Sequence, residues 1–178
     1  MTAAATLQIE SWPQTISEFE RLVEATQDEL VQFAFYRLGN RADAEDAVQD
    51  VYVQAFRDRD KRRHITEVRP YLFRMVRNRC TDVLRGRSRK PAGQGQEAGA
   101  GDTLADMLAR EEAGEFARLL DRIPEREAEV IRLRAWSELS FAEVAVAVGA
   151  AVPTVKSRFR YGIEKLRRLL NLEGGMPR

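Results

Sequence analysis

The acidic segment DAEDAVQDVYVQAF, residues 43–56, contains two carboxylates, Asp46 and Asp50, at a spacing that would let both act on one ligand. If this segment is a helix, Asp46 and Asp50 are about one turn apart on its outer side. Gln49 and Val53 fall on the same side. A carboxylate pair of this kind can bind a divalent metal or serve acid–base catalysis. Because neither a histidine ligand nor a nucleophile with an activating base is nearby, we expect no catalysis, and protein docking and simple solvation both remain open.

The composition restricts the function further. Cys80 and His64 are the only cysteine and histidine, so an internal disulfide framework and a Cys/His zinc site are excluded. The start, MTAAATLQIESW, lacks the pattern of a secretory signal. No apolar run approaches the roughly 18–20 residues that a membrane span needs. We therefore expect a cytoplasmic protein that is not an enzyme and has neither metal nor cofactor.

A basic segment near the C-terminus, AVPTVKSRFRYGIEKLRR, is the first candidate for DNA binding. Helical spacing separates an apolar stripe of Val155, Phe159, Ile163, Leu166 and Leu170 from a polar, cationic side. The preceding segment begins with a capping box, Ser140 to Glu143, and ends at Gly149, which predicts a helix-turn-helix. In that motif the start of the second helix reaches base edges. A solvated basic face is the alternative, and the motif favours DNA.

A second basic segment, RPYLFRMVRNRCTDVLRGRSRK, covers residues 69–90. Tyr71 and Phe73 stand at its start, beside the basic loop KRRH at 61–64. Aromatic rings interleaved with cations suit unpaired bases, which stack on the rings while the backbone meets positive charge. The alternative, that Phe73 is core and the arginines are solvated, is at least as strong from these residues alone.

The chain divides at the segment KPAGQGQEAGAGD, residues 90–102, whose composition is that of a flexible linker. Helical periodicity predicts three helices before it, at 15–38, from Asp43 and from Pro70. Four more are predicted after it, at 104–121, 124–136, 140–148 and 153–171. The expected fold is all-α, with domains at 15–90 and 104–172 joined by a linker at 91–103. Each half carries one basic helix and one acidic segment, although the net charge is only +1.

Three motifs in order resemble an extracytoplasmic-function (ECF) sigma factor of bacterial RNA polymerase. GNRADAEDAVQDVYVQAF is similar to region 2.1–2.2 of that family, and RPYLFRMVRNRCTDVLRGR to region 2.3–2.4. LDRIPEREAEVIRLRAWSELSFAEVAVAVGAAVPTVKSRFRYGIEKLRRLL is similar to region 4. The resemblance covers residues 18–90 and 112–171. It implies a two-domain factor, without a region 1.1 or 3, that directs core polymerase to promoters.

The resemblance also implies roles for particular residues. The polymerase-binding set, which would dock on the β′ clamp, is Asp46, Gln49, Asp50 and Val53. The set for recognising and melting the −10 element is Lys61, Arg62, Arg63, His64, Arg69, Tyr71, Arg74, Arg77, Asn78 and Arg85. The set for reading the −35 element as duplex is Thr154, Lys156, Ser157, Arg158, Tyr161 and Lys165. The second domain would also meet the β flap, and an anti-sigma factor is a further expected partner.

Some positions depart from the family pattern. Tyr71 stands where the family often has tryptophan, and the run from Phe159 to Ile163 differs from the usual one. Gly162 lowers helix propensity by about 1 kcal/mol relative to alanine. A stand-alone helix-turn-helix regulator is the alternative function, but it would not need the acidic docking face. A recombinase would need a nucleophile with an activating partner in residues 1–90, and none is present.

Overall fold

The computed structural model describes residues 11–88, 114–137 and 139–173. These residues form helices joined by turns, with no strand among them, which confirms the predicted all-α fold. The chain divides into two compact units at the boundary between Ala98 and Gly99. The predicted linker at 91–103 and the predicted helix start at 104 lie outside the described residues. The domain limits 15–90 and 104–172 therefore stay predictions.

Helix α1, Ile16–Leu38, is closed at both ends by local signals. Thr15 forms a capping box, in which its side chain accepts from the Glu18 backbone N–H at 3.2 Å. The Glu18 carboxylate accepts from the backbone N–H groups of Gln14 and Thr15, and these bonds hold its pKa below the ordinary value. Gly39 ends the helix with φ at 71°, a conformation that favours glycine.

Helix α2, Arg41–Arg57, begins earlier than the sequence predicts. The residue that caps it is Asn40, whose side-chain oxygen accepts from the Asp43 backbone N–H at 3.0 Å. Asp43, which the sequence predicts as the start of this helix, lies instead in the first turn, where its charge suits the positive end of the helix dipole. Because Gly39 and Asn40 alone separate the helices, α1 and α2 form a tight hairpin.

Helix α3, Val68–Ser88, also starts before its predicted residue, Pro70. Proline lacks a backbone N–H, but the first turn of a helix leaves those groups unpaired, so Pro70 is tolerated inside it. The segment between α2 and α3, predicted to be a loop, contains one turn of 3-10 helix at Arg59–Arg62.

The core of the first unit is formed where the three helices meet. Phe33 of α1 and Phe73 of α3 pack edge to face, with 5.3 Å between ring centroids. A buried hydroxyl pair, Thr26 and Tyr52, lies at 2.7 Å between α1 and α2. Burial raises the pKa of the Tyr52 phenol to about 12. Other fully enclosed side chains are Leu22, Leu30, Val48, Val51, Leu72, Val76 and Cys80.

The described residues of the second unit, 114–137 and 139–173, contain four helical segments. Residues 114–120 form α4, and α5, α6 and α7 are Glu125–Trp136, Phe141–Val148 and Val152–Glu173. The capping box from Ser140 to Glu143 is present, and Gly149 ends α6 with φ at 66°. Helices α6 and α7 therefore form the predicted pair, separated by residues 149–151.

Helix α7 crosses α5 closely at Gly162, so that a larger residue there would displace a neighbouring side chain. A Cβ atom on Gly162 would lie 2.6 Å from Cδ1 of Ile131 and 3.2 Å from Cβ of Glu127. The low helix propensity of Gly162 is thus compatible with a packing role. The apolar stripe of α7 was predicted to end at Leu170, but that side chain is exposed and Leu169 packs on the core instead.

Candidate protein- and nucleic-acid-binding surfaces

The acidic face of α2 presents the four predicted docking residues to solvent. Asp46, Gln49 and Asp50 are exposed, and Val53 is 51% exposed. Asp50 is paired, since its carboxylate accepts two hydrogen bonds from the Arg79 guanidinium of α3, at 2.7 and 3.0 Å. Val53 is a single exposed aliphatic side chain on the same side of the helix as these carboxylates.

An apolar groove lies beside this face and was not predicted. It has a volume of roughly 500 Å³ and lies between α1, α2 and the residues that follow α2. The Arg59 guanidinium covers the Phe56 ring at 4.5 Å from its centroid. Its lining residues are Phe19, Tyr52, Val53, Phe56, Arg57 and Arg59. Val53 thus belongs both to the acidic face and to the groove.

The basic loop at 61–64 is organised by local ion pairs. Asp58 accepts from Lys61 and pairs with Arg62, both at 3.2 Å, while Arg63 pairs with Asp60 at 2.7 Å. The hydrogen bond from Lys61, with a contribution from Arg62, keeps the pKa of Asp58 below its ordinary value. The side chains of Lys61 and Arg63 are 82% and 67% exposed, whereas that of Arg62 is only 11% exposed. His64 is exposed.

The predicted −10 residues of α3 do not share one environment. Arg69 turns inward, pairs with Glu29 of α1 and stacks on Phe73 at 5.6 Å. Arg74, Asn78 and Arg85 are exposed. Arg77 is half-buried and donates to the Asn78 side chain at 3.0 Å. Fewer cations of α3 are therefore accessible to a ligand than the number of basic residues in the helix suggests.

Trp12 is a residue of this region that sequence reasoning missed. It precedes α1, and its side chain is only 2% exposed. Its ring meets Tyr71 edge to face, with centroids 5.6 Å apart, and the Arg62 guanidinium lies 5.6 Å from the Trp12 ring centroid. Its contacts lie about 50–60 residues away in sequence, and no local pattern indicates them.

The start of α7 presents most of the predicted −35 set. Thr154, Lys156 and Ser157 are exposed, and Arg158 is half-buried. Tyr161 is 47% exposed and carries the Arg160 guanidinium above its ring at 4.9 Å. Lys165 differs from the rest of the set, because its ammonium donates to both carboxylate oxygens of Glu127 in α5, at 2.8 and 2.9 Å.

The side chains and helices of the described parts of the chain, residues 11–88, 114–137 and 139–173, do not meet the requirements of a metal site or of a membrane span. Within them, no cluster of three or more His, Cys, Asp or Glu side chains is arranged to hold a metal ion. No helix among the same residues has the length and apolar character of a membrane span.

Comparison with known proteins identifies the family. The Sigma-70 region 2 model matches residues 22–90, and the Sigma-70, region 4 model matches residues 119–168. The ECF RNA polymerase sigma factor EcfG of Rhodopseudomonas palustris (strain TIE-1) is 30% identical over 146 residues, which cover 82% of this chain and 81% of EcfG. The chain belongs to the ECF RNA polymerase sigma factors.

Further relatives of this sigma factor support the same family. The ECF RNA polymerase sigma factor SigW of Bacillus subtilis (strain 168) is 26% identical over 165 residues, covering 85% of this chain and 88% of SigW. The structure of CnrH in complex with the cytosolic domain of CnrY matches with a TM-score of 0.68 and 27% identity, over 89% and 90% of the two chains. The sigma factor RpoE of Bartonella quintana, solved with the anti-sigma factor NepR, shares the fold, with a TM-score of 0.62 and 23% identity.

Membership of this family decides between the functions considered from the sequence. Sigma factors are transcription initiation factors, and the chain is a factor that binds RNA polymerase and DNA to direct promoter-specific initiation. The stand-alone regulator is not favoured, because the acidic face of α2 lies inside the matched region 2. Trp12 lies before residue 22, where that match begins.

Proposed function

We propose that this sigma factor docks on core polymerase through the acidic face of α2 and the adjoining groove. The observation that carries the proposal is the apolar groove, which Val53 joins to the side of α2 that carries Asp46 and Asp50. A single exposed aliphatic side chain is ordinary on a solvated surface. An apolar groove bordered by charged side chains, in contrast, has the apolar centre and polar rim of a protein interface. Burial of the exposed half of Val53 against the polymerase would contribute about 1 kcal/mol.

Within this proposal the two basic helices contact the promoter in different ways. Lys61, Arg63 and His64, with the exposed residues of α3, would meet the melted −10 strand, where stacking and phosphate contacts combine. The start of α7 would meet the −35 element as duplex, with Lys156 and Arg158 near phosphates or base edges. An anti-sigma partner also remains a proposal, supported by the similarity to CnrH, which was solved in complex with CnrY.

The proposal is tested by transcription in vitro with the full chain, bacterial core polymerase and fragmented genomic DNA as template. We expect initiation from a small set of fragments. Asp46→Arg should lower core binding by about tenfold or more, because a like charge replaces a complementary one at the interface. Binding of labelled chain to immobilised core polymerase, at several salt concentrations, gives the affinity.

The matched control is Glu45→Arg, which makes the same charge change one residue away on α2. Residue 45 is turned by about 100° from residue 46, so it lies at the edge of the docking side and its substitution should have a smaller effect. Its pair with Arg41 is exposed and contributes little to stability. Core affinity equal to that of the parent chain for Asp46→Arg would show that docking lies elsewhere.

A further inference from the structure

Trp12 connects two elements that are distant in sequence. Its enclosed ring lies between Arg62, in the short 3-10 helix, and Tyr71, in the first turns of α3. Both contacts belong to the set assigned to the −10 element. Trp12 itself stands ahead of the region 2 match. An N-terminal residue outside the matched region therefore contacts the predicted melting surface from within.

The contacts of Arg62 show what Trp12 holds in place. The Arg62 guanidinium pairs with Asp58 at 3.2 Å, donates to the Gln54 carbonyl at 3.4 Å and lies over the Trp12 ring. With 11% of its side chain exposed, Arg62 has little surface to offer DNA, unlike its neighbours Lys61 and Arg63. Arg62 thus anchors the loop, and the exposed cations on either side of it are the ones that can reach a ligand.

We propose that Trp12 is a positioning residue for promoter melting, an inference that rests on the proposed function of the first unit. By holding Arg62 and Tyr71, Trp12 fixes where Lys61 and Arg63 stand relative to the exposed face of α3. A strand that has left the duplex must meet the loop and α3 together, and unstacking costs a few kcal/mol per base. A surface that is already ordered does not lose further conformational entropy when the strand arrives.

The contact acts through packing and not through a hydrogen bond. Trp12 Nε1 is buried and has no acceptor among the described residues. An aromatic pair and a cation–π contact together are worth about tenfold in an equilibrium. Phenylalanine keeps a ring for both contacts and sacrifices no hydrogen bond, whereas methionine fills the space without a ring.

The test compares Trp12→Met with Trp12→Phe, in full-length chain bound to core polymerase. The template is a fragment from which the parent chain initiates, used as duplex and with its strands mismatched just upstream of the mapped start site. Melting is followed by the fluorescence of 2-aminopurine placed in that segment. We expect Trp12→Met to lower open-complex formation on duplex by about tenfold, with core affinity retained and activity on the mismatched template restored. Trp12→Phe should resemble the parent chain on both templates.

Trp136→Met is the matched control, because the second tryptophan also makes an edge-to-face pair, with Phe116 at 5.5 Å, but in the other unit. Any loss it causes should be equal on both templates. The positioning role is overturned if Trp12→Met melts duplex like the parent chain, or if its loss is the same on the mismatched template. It is also overturned if methionine and phenylalanine behave alike, or if Trp12→Met fails to fold by circular dichroism. Absence of initiation by the parent chain on every fragment would instead refute the proposed function.

Discussion

Helices α3 and α7 carry similar charge but use it differently. Helix α3, Val68–Ser88, has six basic side chains and one acidic, and helix α7, Val152–Glu173, has six and two. In α3, three arginines pair with carboxylates of α1 and α2, namely Arg69 with Glu29, Arg79 with Asp50 and Arg87 with Asp43. In α7, among the described residues, one cation pairs with another helix, Lys165 with Glu127.

The difference follows from how each helix is packed. Helix α3 lies against both α1 and α2, so cations on either side of its buried stripe come within reach of acids on those helices. The first half of α7 extends its polar side away from α5 and α6 and meets few acids. A charge count therefore overestimates the cations that α3 can offer to DNA, and is closer to the truth for the start of α7.

The glycines of α3 and α7 also differ in how closely they are packed. Gly86 in α3 has nothing within 4 Å of the place where a Cβ would stand, whereas Gly162 in α7 faces Ile131 and Glu127. We expect Gly162→Val to destabilise the second unit by about 3 kcal/mol through overpacking. Thermal unfolding of a Trp12→Phe background, in which Trp136 is the remaining tryptophan reporter, measures the effect in the unit that contains residue 162.

Gly86→Val is the control for that prediction. Valine has a somewhat better helix propensity than glycine, so the change in stability should stay within about 0.5 kcal/mol. It is measured in a Trp136→Phe background, with Trp12 as the reporter of the first unit. Equal effects of the two valines would mean that α7 does not approach α5 as closely as the structure shows.

Local signals explain which parts of the fold could be predicted from the sequence. The capping box at Ser140, and the helix ends at Gly39 and Gly149, depend on residues within one turn, and each is present. The predicted start of α2 is wrong because Asn40 and Asp43 are both residues that favour the N-cap position. Only the packing of α1 on α2, with a two-residue turn, selects Asn40.

The missed parts of the site depend on partners distant in sequence. Arg69 and its acceptor Glu29 are 40 residues apart, and Lys165 and Glu127 are 38 apart. Helical periodicity places each of these cations on an outer side of its own helix, but it does not reveal which neighbouring helix carries an acid there. The burial of Trp12 and the crossing at Gly162 were missed for the same reason.

The buried phenol of Tyr52 predicts that the first unit loses stability at alkaline pH. Its pKa is about 12 in the folded chain, against an ordinary value of 10.0. The unfolded chain therefore loses this proton first as the pH rises, and the free energy of unfolding falls between pH 10 and 12. Two pKa units correspond to a loss of about 2–3 kcal/mol. Urea unfolding at pH 9, 10, 11 and 12 measures it, in a Trp136→Phe background with Trp12 fluorescence as the reporter of the first unit.

Tyr52→Phe should abolish most of that pH dependence, at the cost of the hydroxyl pair with Thr26. Tyr161→Phe is the matched change in α7, where the ring is exposed. It should leave the slope between pH 10 and 12 as in the parent chain. A slope that survives in Tyr52→Phe would assign the alkaline loss to other groups.

The smallest expected effect separates the outward from the paired cations within α7. Lys156 is exposed with no ion partner among the described residues, whereas Lys165 is bound to Glu127. Lys156→Gln should reduce the slope of log affinity against log salt by about 1, because one phosphate contact and its counterion release are lost. Lys165→Gln should leave the slope unchanged, since its charge is already compensated. The slope is measured for the polymerase-bound chain on a fragment that supports initiation. A reduced slope for Lys165→Gln would show that DNA competes successfully with Glu127, and α7 would then resemble α3 in holding cations that are released only on binding.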